Sequence, residues 1–315
     1  MEYRTLGNTG IQVSRMCFGA LTIGPLQDRL PLAEGAAVIR YALEQGVNFI
    51  DTAQLYGTYP YIKKALKGFG GQVVTASKSY AYTREDMAKA LEEARLEMDR
   101  DVVDIFLLHE QESVQTVKGH WEAVEFLLEA KERGLVRAVG LSTHRVAGVE
   151  AALQFPEIQV IHPMVNVMGV GIQDGTIEDM LAALEKAYRA GKGIYGMKPL
   201  GGGNLMHQMA EAFSFVLGLS QLASIAVGMK TVAEVELNID IFNGEKVSPD
   251  LLAKVRGITR RLHIEDWCQG CGQCIKKCHS GALTMDGAKV VVDKDKCVLC
   301  GYCGTACYEF CIRII

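Results

Sequence analysis

Short apolar runs alternate with longer amphipathic segments from about residue 14 to residue 230. The apolar runs have the length of buried strands, and the amphipathic segments carry apolar residues at helical spacing. This alternation is typical of a parallel sheet whose strands are connected by helices. The eight predicted strands are RMCFGAL, VNFIDTA, QVVTASKS, VDIFLLHE, VRAVGLST, QVIHPMVNV, GIYGMKPL and SIAVGMK.

The number of strands and the helix-end signals predict the fold class. Thr83 and Asp86 have the spacing of an N-terminal capping pair, and helices are predicted to stop at Gly46 and Gly134. Eight strand and helix pairs predict an α/β fold with a closed (β/α)8 TIM barrel, preceded by a hairpin over residues 2–14. A doubly wound open sheet is the alternative, but no G-x-G-x-x-G sequence follows the first strand.

The chain changes character after the eighth strand. Helices are predicted from Thr231 to about Phe242 and from Leu251 to Leu262, separated by the polar sequence NGEKVSPD. Beyond them the chain is short, Gly-rich and Cys-rich. We therefore predict a barrel domain over residues 1–263 and a second domain over residues 264–315.

Composition narrows the classes of partner and location. The formal net charge of -4 gives no basic excess, so we expect neither nucleic acid nor an anionic membrane as a partner. The first residues lack the charged start and apolar run of a secretory signal. The one long uncharged run, residues 212–229, is interrupted by GLSQ, which disfavours a membrane span. We expect a cytoplasmic protein.

Ionisable side chains close three consecutive predicted strands. Asp51 follows VNFI, Lys78 follows VVTAS and His109 follows DIFLL, and Tyr56 stands in the loop after the first of these strands. In a barrel these strand ends meet at one mouth. Each residue alone could cap a turn or pack in the core. Together, Lys78 would lower the pKa of Tyr56 from about 10, Asp51 would fix Lys78, and His109 could donate to a carbonyl oxygen.

Five segments resemble, in order, the motifs of the aldo-keto reductase superfamily: GVNFIDTAQLYG, VTASKSY, DIFLLHE, AVGLSTH and MKPLGGG. The resemblance covers roughly residues 3 to 240 and implies a (β/α)8 barrel that uses NAD(P)H to reduce an aldehyde or ketone. It also implies that Tyr56 is the general acid and that the pair of Lys78 and Asp51 adjusts the pKa of Tyr56. His109 would orient the carbonyl group.

The same resemblance implies contacts with the nucleotide. The positions that hold the nicotinamide carboxamide in the family match Ser142, Thr143 and His162, and only the serine is retained. Met197 takes the place of the ring on which nicotinamide stacks. The implied cofactor-binding residues are Gly19, Ala20, Leu21, Asp51, Ser142, Thr143, His162, Met197, Lys198, Leu200, Gly201, Gly202, Gly228, Lys230, Thr231, Glu234 and Asn238.

The resemblance leaves the choice between NADP and NAD open. Residues 200–202 would let the backbone approach the pyrophosphate, because glycine has no side chain. Lys230 and Thr231 suit an adenosine 2′-phosphate, whereas Glu234 would repel it and has capping-box spacing with Thr231. Lys198 either reaches the cofactor or is solvated. Lys230 makes NADP the slightly favoured cofactor.

Nine of the ten cysteines lie after residue 267. CQGCGQCIKKC and CVLCGYCGTAC share the spacing C-x2-C-x2-C-x3-C of bacterial-type ferredoxins, in which each run gives three ligands to one 4Fe-4S cluster and its fourth to the other. Zinc is the alternative, but zinc sites typically pair two cysteines with two distant ligands. We predict an α+β ferredoxin-like domain with two 4Fe-4S clusters, one held by Cys268, Cys271, Cys274 and Cys307, the other by Cys297, Cys300, Cys303 and Cys278.

The leading hypothesis is therefore a carbonyl reductase with a fused ferredoxin domain and a small carbonyl substrate, and an external redox protein is a candidate partner. No recognisable flavin motif links the two-electron hydride to one-electron clusters. The competing hypothesis is an iron-sulfur electron-transfer protein whose barrel binds a nucleotide or another redox cofactor without reducing carbonyls. Thr143 and His162 favour the second hypothesis, and the four catalytic candidates favour the first.

Overall fold

The computed structural model describes all residues from 1 to 315. The strands are β1 Tyr3–Thr5, β2 Gln12–Ser14, β3 Met16–Gly19, β4 Phe49–Asp51, β5 Val74–Ser79, β6 Val103–Leu108, β7 Val136–Thr143, β8 Val160–Pro163, β9 Gly193–Met197, β10 Ser224–Gly228, β11 Leu262–Ile264, β12 Leu283–Asp286, β13 Lys289–Val292 and β14 Ile312–Ile314. The helices are α1 Leu32–Glu44, α2 Tyr59–Leu66, α3 Arg84–Met98, α4 Val114–Gly119, α5 Trp121–Glu132, α6 Val146–Leu153, α7 Ile177–Arg189, α8 Met209–Gly218, α9 Val232–Asn243, α10 Pro249–Arg256, α11 Gln273–Lys277 and α12 Tyr302–Thr305.

Strands β3 to β10 form one closed parallel barrel, in which β10 pairs with β3. All eight predicted strands are confirmed. The predicted N-terminal hairpin is β1 paired antiparallel with β2. One core of 52 buried residues lies largely between the strands and the helices, and a second fills the barrel interior, where Cys17 is fully buried. None of the helices has the length and hydropathy needed to cross a membrane.

Local end signals place most helices where the sequence predicts them. Thr83 Oγ1 accepts a hydrogen bond from the Asp86 N–H at 3.2 Å, which caps α3. Gly134 follows α5 with φ of 74°, a conformation that favours glycine. The helix predicted over residues 251–262 is too long: α10 ends at Arg256 because Leu262 begins β11 instead.

The C-terminal domain is a small α+β unit. β11 pairs antiparallel with β14, and β12 pairs with β13 as a hairpin. The predicted division after residue 263 falls inside β11. A third core joins the strands to Cys274 and Cys303 on α11 and α12.

This domain lies against the mouth of the barrel, beside the loop over residues 201–204. Asn204 Nδ2 donates to the Ile312 carbonyl at 2.9 Å. A Cβ on Gly301 or Gly304 would overlap Asn204, and a Cβ on Gly203 would overlap the Ile314 carbonyl. The two backbones can therefore approach this closely only because glycine occupies these positions.

Candidate active site

The end of every barrel strand contributes a residue to one of two adjoining cavities. The groove cavity, of about 190 Å³, runs from the barrel mouth toward the start of α9. The mouth cavity, of about 450 Å³, lies between the barrel and the C-terminal domain. The strand-end residues are Gly19, Asp51, Lys78, His109, Ser142, His162, Met197 and Gly228. The residues common to both cavities are Leu21, Tyr56, Met197, Lys198, Phe310 and Arg313.

Lys78 and Asp51 form a buried ion pair, as the sequence predicts. Lys78 Nζ donates to the two carboxylate oxygens of Asp51 at 2.8 and 2.7 Å and to the Thr52 carbonyl at 2.8 Å. These three acceptors match the three N–H bonds of an ammonium group. Both side chains are therefore fixed in one arrangement.

Tyr56 stands beside this pair, but its pKa differs from the sequence prediction. Lys78 Nζ lies 5.0 Å from the centre of the Tyr56 ring. Burial raises the pKa of Tyr56, and the carboxylates of Asp51 and Glu110 raise it further. The predicted lowering by Lys78 is wrong for this structure, because burial, which is the largest cause, and the two carboxylates all raise the pKa of Tyr56. Tyr56 consequently keeps its proton at neutral pH.

His109 is held between two phenol rings. Its ring stacks on Tyr80 at 4.3 Å and meets Tyr56 edge-on at 5.8 Å. Burial, and then the charge of Lys78, lower the pKa of His109 well below its ordinary value, so the imidazole is neutral. Its Nδ1 atom is buried and has no hydrogen-bond partner in the protein.

Tyr195 is a site residue that the sequence analysis missed. Its hydroxyl donates to Asp51 Oδ1 at 2.9 Å, its carbonyl oxygen lies 2.7 Å from His162 Nδ1, and its ring stacks on His162 at 3.9 Å. A carbonyl only accepts, so Nδ1 carries the proton. Burial lowers the pKa of His162 to about 4, which leaves Nε2 as an acceptor at neutral pH. The detectable signal was position: Tyr195 lies two residues before Met197 and so shares its face of β9.

Ser142 and Thr143 have different surroundings although they are neighbours. Ser142 lines the mouth cavity, and its Oγ accepts from the Glu110 N–H at 2.9 Å. Thr143 Oγ1 accepts from the Arg145 N–H at 2.9 Å and is fully buried. The structure does not bring Thr143 to either cavity. The other predicted cofactor contacts that line neither cavity are Ala20, Gly201 and Thr231.

The loop over residues 201–204, called the glycine loop below, contacts the C-terminal domain. Gly202 has φ of 65°, and a Cβ there would lie 2.7 Å from the Phe310 ring. Phe310 itself is 2% exposed and packs with Met164 and Leu205. At residues 202–203, where the sequence predicts that a pyrophosphate approaches the backbone closely, the C-terminal domain lies against the backbone instead.

Charged pairs close the far end of the groove cavity. Lys230 Nζ lies 2.8 Å from Asp28 Oδ2, and Arg261 pairs with the same carboxylate at 3.3 Å. Glu234, whose charge argued against a 2′-phosphate, pairs with Arg260 at 2.8 Å. Three cations therefore face two carboxylates. Arg260 lies beyond the segment that carries the resemblance, so no motif indicated it.

The two cysteine runs fold in the same way. α11 follows Gly272, with φ of 72°, and α12 follows Gly301, with φ of 81°. Cys274 and Cys303 occupy equivalent positions on these helices and are 6% and 7% exposed. All ten cysteines are free thiols.

Cys274 and Cys303 each lie near other thiols of the two cysteine runs. Burial raises the pKa of Cys274 and of Cys303, and neighbouring thiols raise both further. Backbone N–H groups donate to Cys307 Sγ at 3.2 Å and to Cys278 Sγ at 3.3 Å, a feature of cluster-binding sulfurs. The neighbouring thiols are Cys307, Cys268 and Cys271 around Cys274, and Cys300, Cys274 and Cys297 around Cys303.

No three cysteine, histidine or acidic side chains converge on one point that could hold a metal ion. Cys311 is buried beside Cys307, and its own N–H is the donor to that sulfur.

Comparisons with known proteins match both parts of the chain. A profile of the aldo/keto reductase family matches residues 15–216, and a profile of the 4Fe-4S dicluster domain matches residues 267–310. L-galactose dehydrogenase of Arabidopsis thaliana is 24% identical over 281 residues, which cover 76% of this chain and 87% of the relative. Pyridoxine 4-dehydrogenase of Escherichia coli (strain K12) is 27% identical over 293 residues, which cover 81% and 98%.

A solved structure is similar over the barrel. The aldo-keto reductase of Bacillus halodurans in its holo form superposes with a TM-score of 0.66 at 18% identity, covering 81% of this chain and 95% of that one. At this identity the likeness concerns the fold alone.

Proposed function

We propose that the chain, which belongs to the aldo/keto reductase family and carries a 4Fe-4S dicluster domain, reduces the carbonyl group of an aldehyde or ketone with NAD(P)H. Membership of this family means that the protein is an oxidoreductase. The observation that carries the finer proposal is the meeting of Tyr56 and His109 at one cavity, beside the buried pair of Lys78 and Asp51. These groups suit proton donation to a carbonyl oxygen.

The roles follow from the geometry of the side chains. Tyr56, which keeps its proton at neutral pH, donates that proton to the carbonyl oxygen. Lys78, 5.0 Å from the ring, then stabilises the phenolate, and Asp51 holds Lys78 in place. Neutral His109 orients the carbonyl group. NAD(P)H supplies the hydride when it is bound.

The cofactor would lie along the groove cavity. His162 Nε2 would accept a hydrogen bond from the carboxamide, because its Nδ1 proton is donated to the Tyr195 carbonyl. Met197 would cover a face of the nicotinamide ring. At the adenosine end three cations, among them Lys230 and Arg260, face two carboxylates. This excess of positive charge favours NADPH over NADH.

The C-terminal domain would hold two 4Fe-4S clusters on its two ligand sets. Such clusters supply one-electron exchange. An external redox protein is the proposed partner for that exchange, because the clusters lie in a separate domain from the carbonyl site.

The test is oxidation of NADPH by the anaerobically purified holoenzyme with a panel of aldehydes and ketones. Tyr56→Phe should lower kcat by about 10²–10⁴-fold, because the proton donor is lost. Tyr59→Phe is the matched control: its hydroxyl is hydrogen-bonded to Ser77 Oγ at 2.6 Å in the barrel wall, and its loss should leave kcat nearly unchanged. Turnover of no carbonyl, or equal turnover by Tyr56→Phe, would contradict the proposal.

A second candidate is an iron-sulfur electron-transfer protein whose barrel binds a nucleotide or another redox cofactor without reducing carbonyls. Thr143, which lines neither cavity, and the glycine loop, which the C-terminal domain covers, favour it, because both depart from the contacts expected of a carbonyl reductase. It predicts that equilibrium dialysis detects bound NADPH while no carbonyl accelerates NADPH oxidation. The same panel of substrates therefore separates the two candidates.

A further inference from the structure

Two cations meet on one aromatic ring where the groove cavity joins the mouth cavity. Lys198 Nζ lies 4.4 Å from the centre of the Phe310 ring, and the Arg313 guanidinium lies 5.5 Å from it. Lys198 belongs to the barrel, and Arg313 belongs to β14 of the C-terminal domain. Like charges brought together in a half-buried place are unfavourable unless an anion lies nearby.

Lys198 has no carboxylate partner. The polar neighbour of its ammonium is His144 Nε2, at 3.0 Å. Burial, and then the charge of Arg313, lower the pKa of Lys198 to about 7. Its backbone has φ of 57°, an uncommon conformation for a residue with a side chain. The chain thus holds this cation in a costly position that no internal ion pair explains.

Arg313 is fixed in place and only partly neutralised. Its guanidinium lies 5.6 Å from the centre of the Trp267 ring, and Nη1 lies 3.0 Å from Glu265 Oε1. The other oxygen of Glu265 lies 3.1 Å from His263 Nε2, and Arg313 Nε is buried without a hydrogen-bond partner in the protein. A guanidinium stays charged at all physiological pH values and can donate several hydrogen bonds at once.

The remaining carboxylates of the mouth cavity do not pair with these cations. Glu110 accepts a hydrogen bond from the Tyr80 hydroxyl at 2.6 Å and has His144 at 3.6 Å. Glu309 is half-buried on the rim of the cavity and forms no ion pair. The interior of the cavity therefore presents two incompletely paired cations to a ligand.

We propose that the substrate carries a carboxylate in addition to its carbonyl group, and that Lys198 and Arg313 together bind this carboxylate. The proposal rests on the proposed function, since Tyr56 and His109 hold the carbonyl group of the same molecule. It assigns Lys198 to the substrate. It also makes the iron-sulfur domain part of substrate selection, because Arg313 comes from that domain.

The experiment compares 4-carboxybenzaldehyde with benzaldehyde, which differ only in the carboxylate, on the anaerobic holoenzyme with NADPH. The wild type should prefer the carboxylate by at least about tenfold in kcat/KM, the effect of one or two charged contacts. Arg313→Gln and Lys198→Met should each remove most of this preference and leave the KM for NADPH unchanged. Arg313→Lys should restore part of it.

Two variants serve as checks. Arg313→Gln also breaks the contact with Glu265 inside the C-terminal domain, whereas Lys198→Met leaves that contact intact, so the two variants change the structure in different ways. Arg84→Gln removes an exposed arginine that pairs with Glu129 on the outside of the barrel and should keep the preference.

Each outcome bears on the proposal. An unchanged preference in both variants overturns it. A rise in the KM for NADPH, equal for both aldehydes, assigns the cations to the cofactor diphosphate and also overturns it. If the wild type reduces neither aldehyde nor any other carbonyl of the panel, the proposed function fails. Equilibrium dialysis with terephthalate then still decides on the carboxylate site: binding lost in Lys198→Met supports it, and no difference overturns it.

Discussion

At the scale of single residues, Tyr195 connects two groups that the sequence treats separately. Its hydroxyl contacts Asp51 of the proposed catalytic set, and its carbonyl and ring fix His162 of the proposed nicotinamide site. His162 thereby offers an acceptor at Nε2, which is the role that a glutamine oxygen would play. The replacement of the family glutamine by histidine is therefore compatible with carboxamide binding.

The buried neutral state of His162 predicts how stability depends on pH. Its pKa falls from an ordinary value of 6.5 to about 4 in the folded chain, so the unfolded chain binds more protons between these values. Stability should therefore decrease as pH falls from about 6.5 to about 4. His162→Gln should reduce the slope of unfolding free energy against pH by up to about 1.4 kcal/mol per pH unit.

Urea unfolding, followed by far-ultraviolet circular dichroism at several pH values in this window, measures the slope. His109 and His144, whose pKa values are also lowered, are present in both proteins and so cancel in the comparison. Equal slopes for the wild type and His162→Gln would show that His162 is not held neutral.

Sequence reasoning reached the residues at strand ends but not their electrostatics. Asp51, Lys78 and His109 could be expected together because parallel strands of a barrel end at one mouth. The pKa of Tyr56 depends on burial and on the nearby carboxylates of Asp51 and Glu110. Neither effect can be read from spacing, so the predicted direction was wrong.

At the scale of elements, the glycine loop and β14 form a close contact between the domains. Gly203→Ala would place a Cβ against the Ile314 carbonyl in a residue with φ of 86°. Gly134 has φ of 74° and open space around its Cβ position, so Gly134→Ala is the matched control. The control should cost about 1–2 kcal/mol of stability from its backbone conformation alone. Gly203→Ala should cost more and should loosen the C-terminal domain.

Limited proteolysis detects this loosening as faster cleavage in the connection over residues 257–261. The expected order of cleavage rates is wild type and Gly134→Ala together, then Gly203→Ala clearly faster. Equal rates for the two variants would mean that the contact between residue 203 and β14 does not hold the domain.

Element prediction succeeded where the signal was local. The eight barrel strands and the N-terminal hairpin of β1 and β2 follow from short apolar runs and a turn. The end of α10 did not, because Leu262 pairs with Ile314, far along the chain. The role of Gly202 was also missed, since only the docked domain reveals what lies against it.

At the scale of the whole molecule, the iron-sulfur ligands and the barrel mouth share one structural support. The core of the C-terminal domain joins Cys274 and Cys303 to Ile312 and Ile314 of β14. Loss of the clusters should therefore loosen β14 and uncover the loop over residues 201–204.

Hydrogen exchange followed by mass spectrometry tests this coupling. Removal of iron with a chelator under oxidation should speed amide exchange in β14 and in residues 201–204. β6, a fully buried strand of the barrel wall, should exchange equally slowly in both forms and serves as the internal control. Unchanged exchange in β14 would show that the domain keeps its docked form without iron.

The position of β14 along the chain has a consequence for biosynthesis. All eight proposed cluster ligands lie between Cys268 and Cys307, upstream of β14, and β11 lies upstream of them all. During translation the barrel emerges first, the cysteines second and β14 third. β14 can therefore pair with β11 and cover the barrel mouth only after every thiol has been synthesised. This order along the chain lets iron reach the thiols before the mouth cavity is covered.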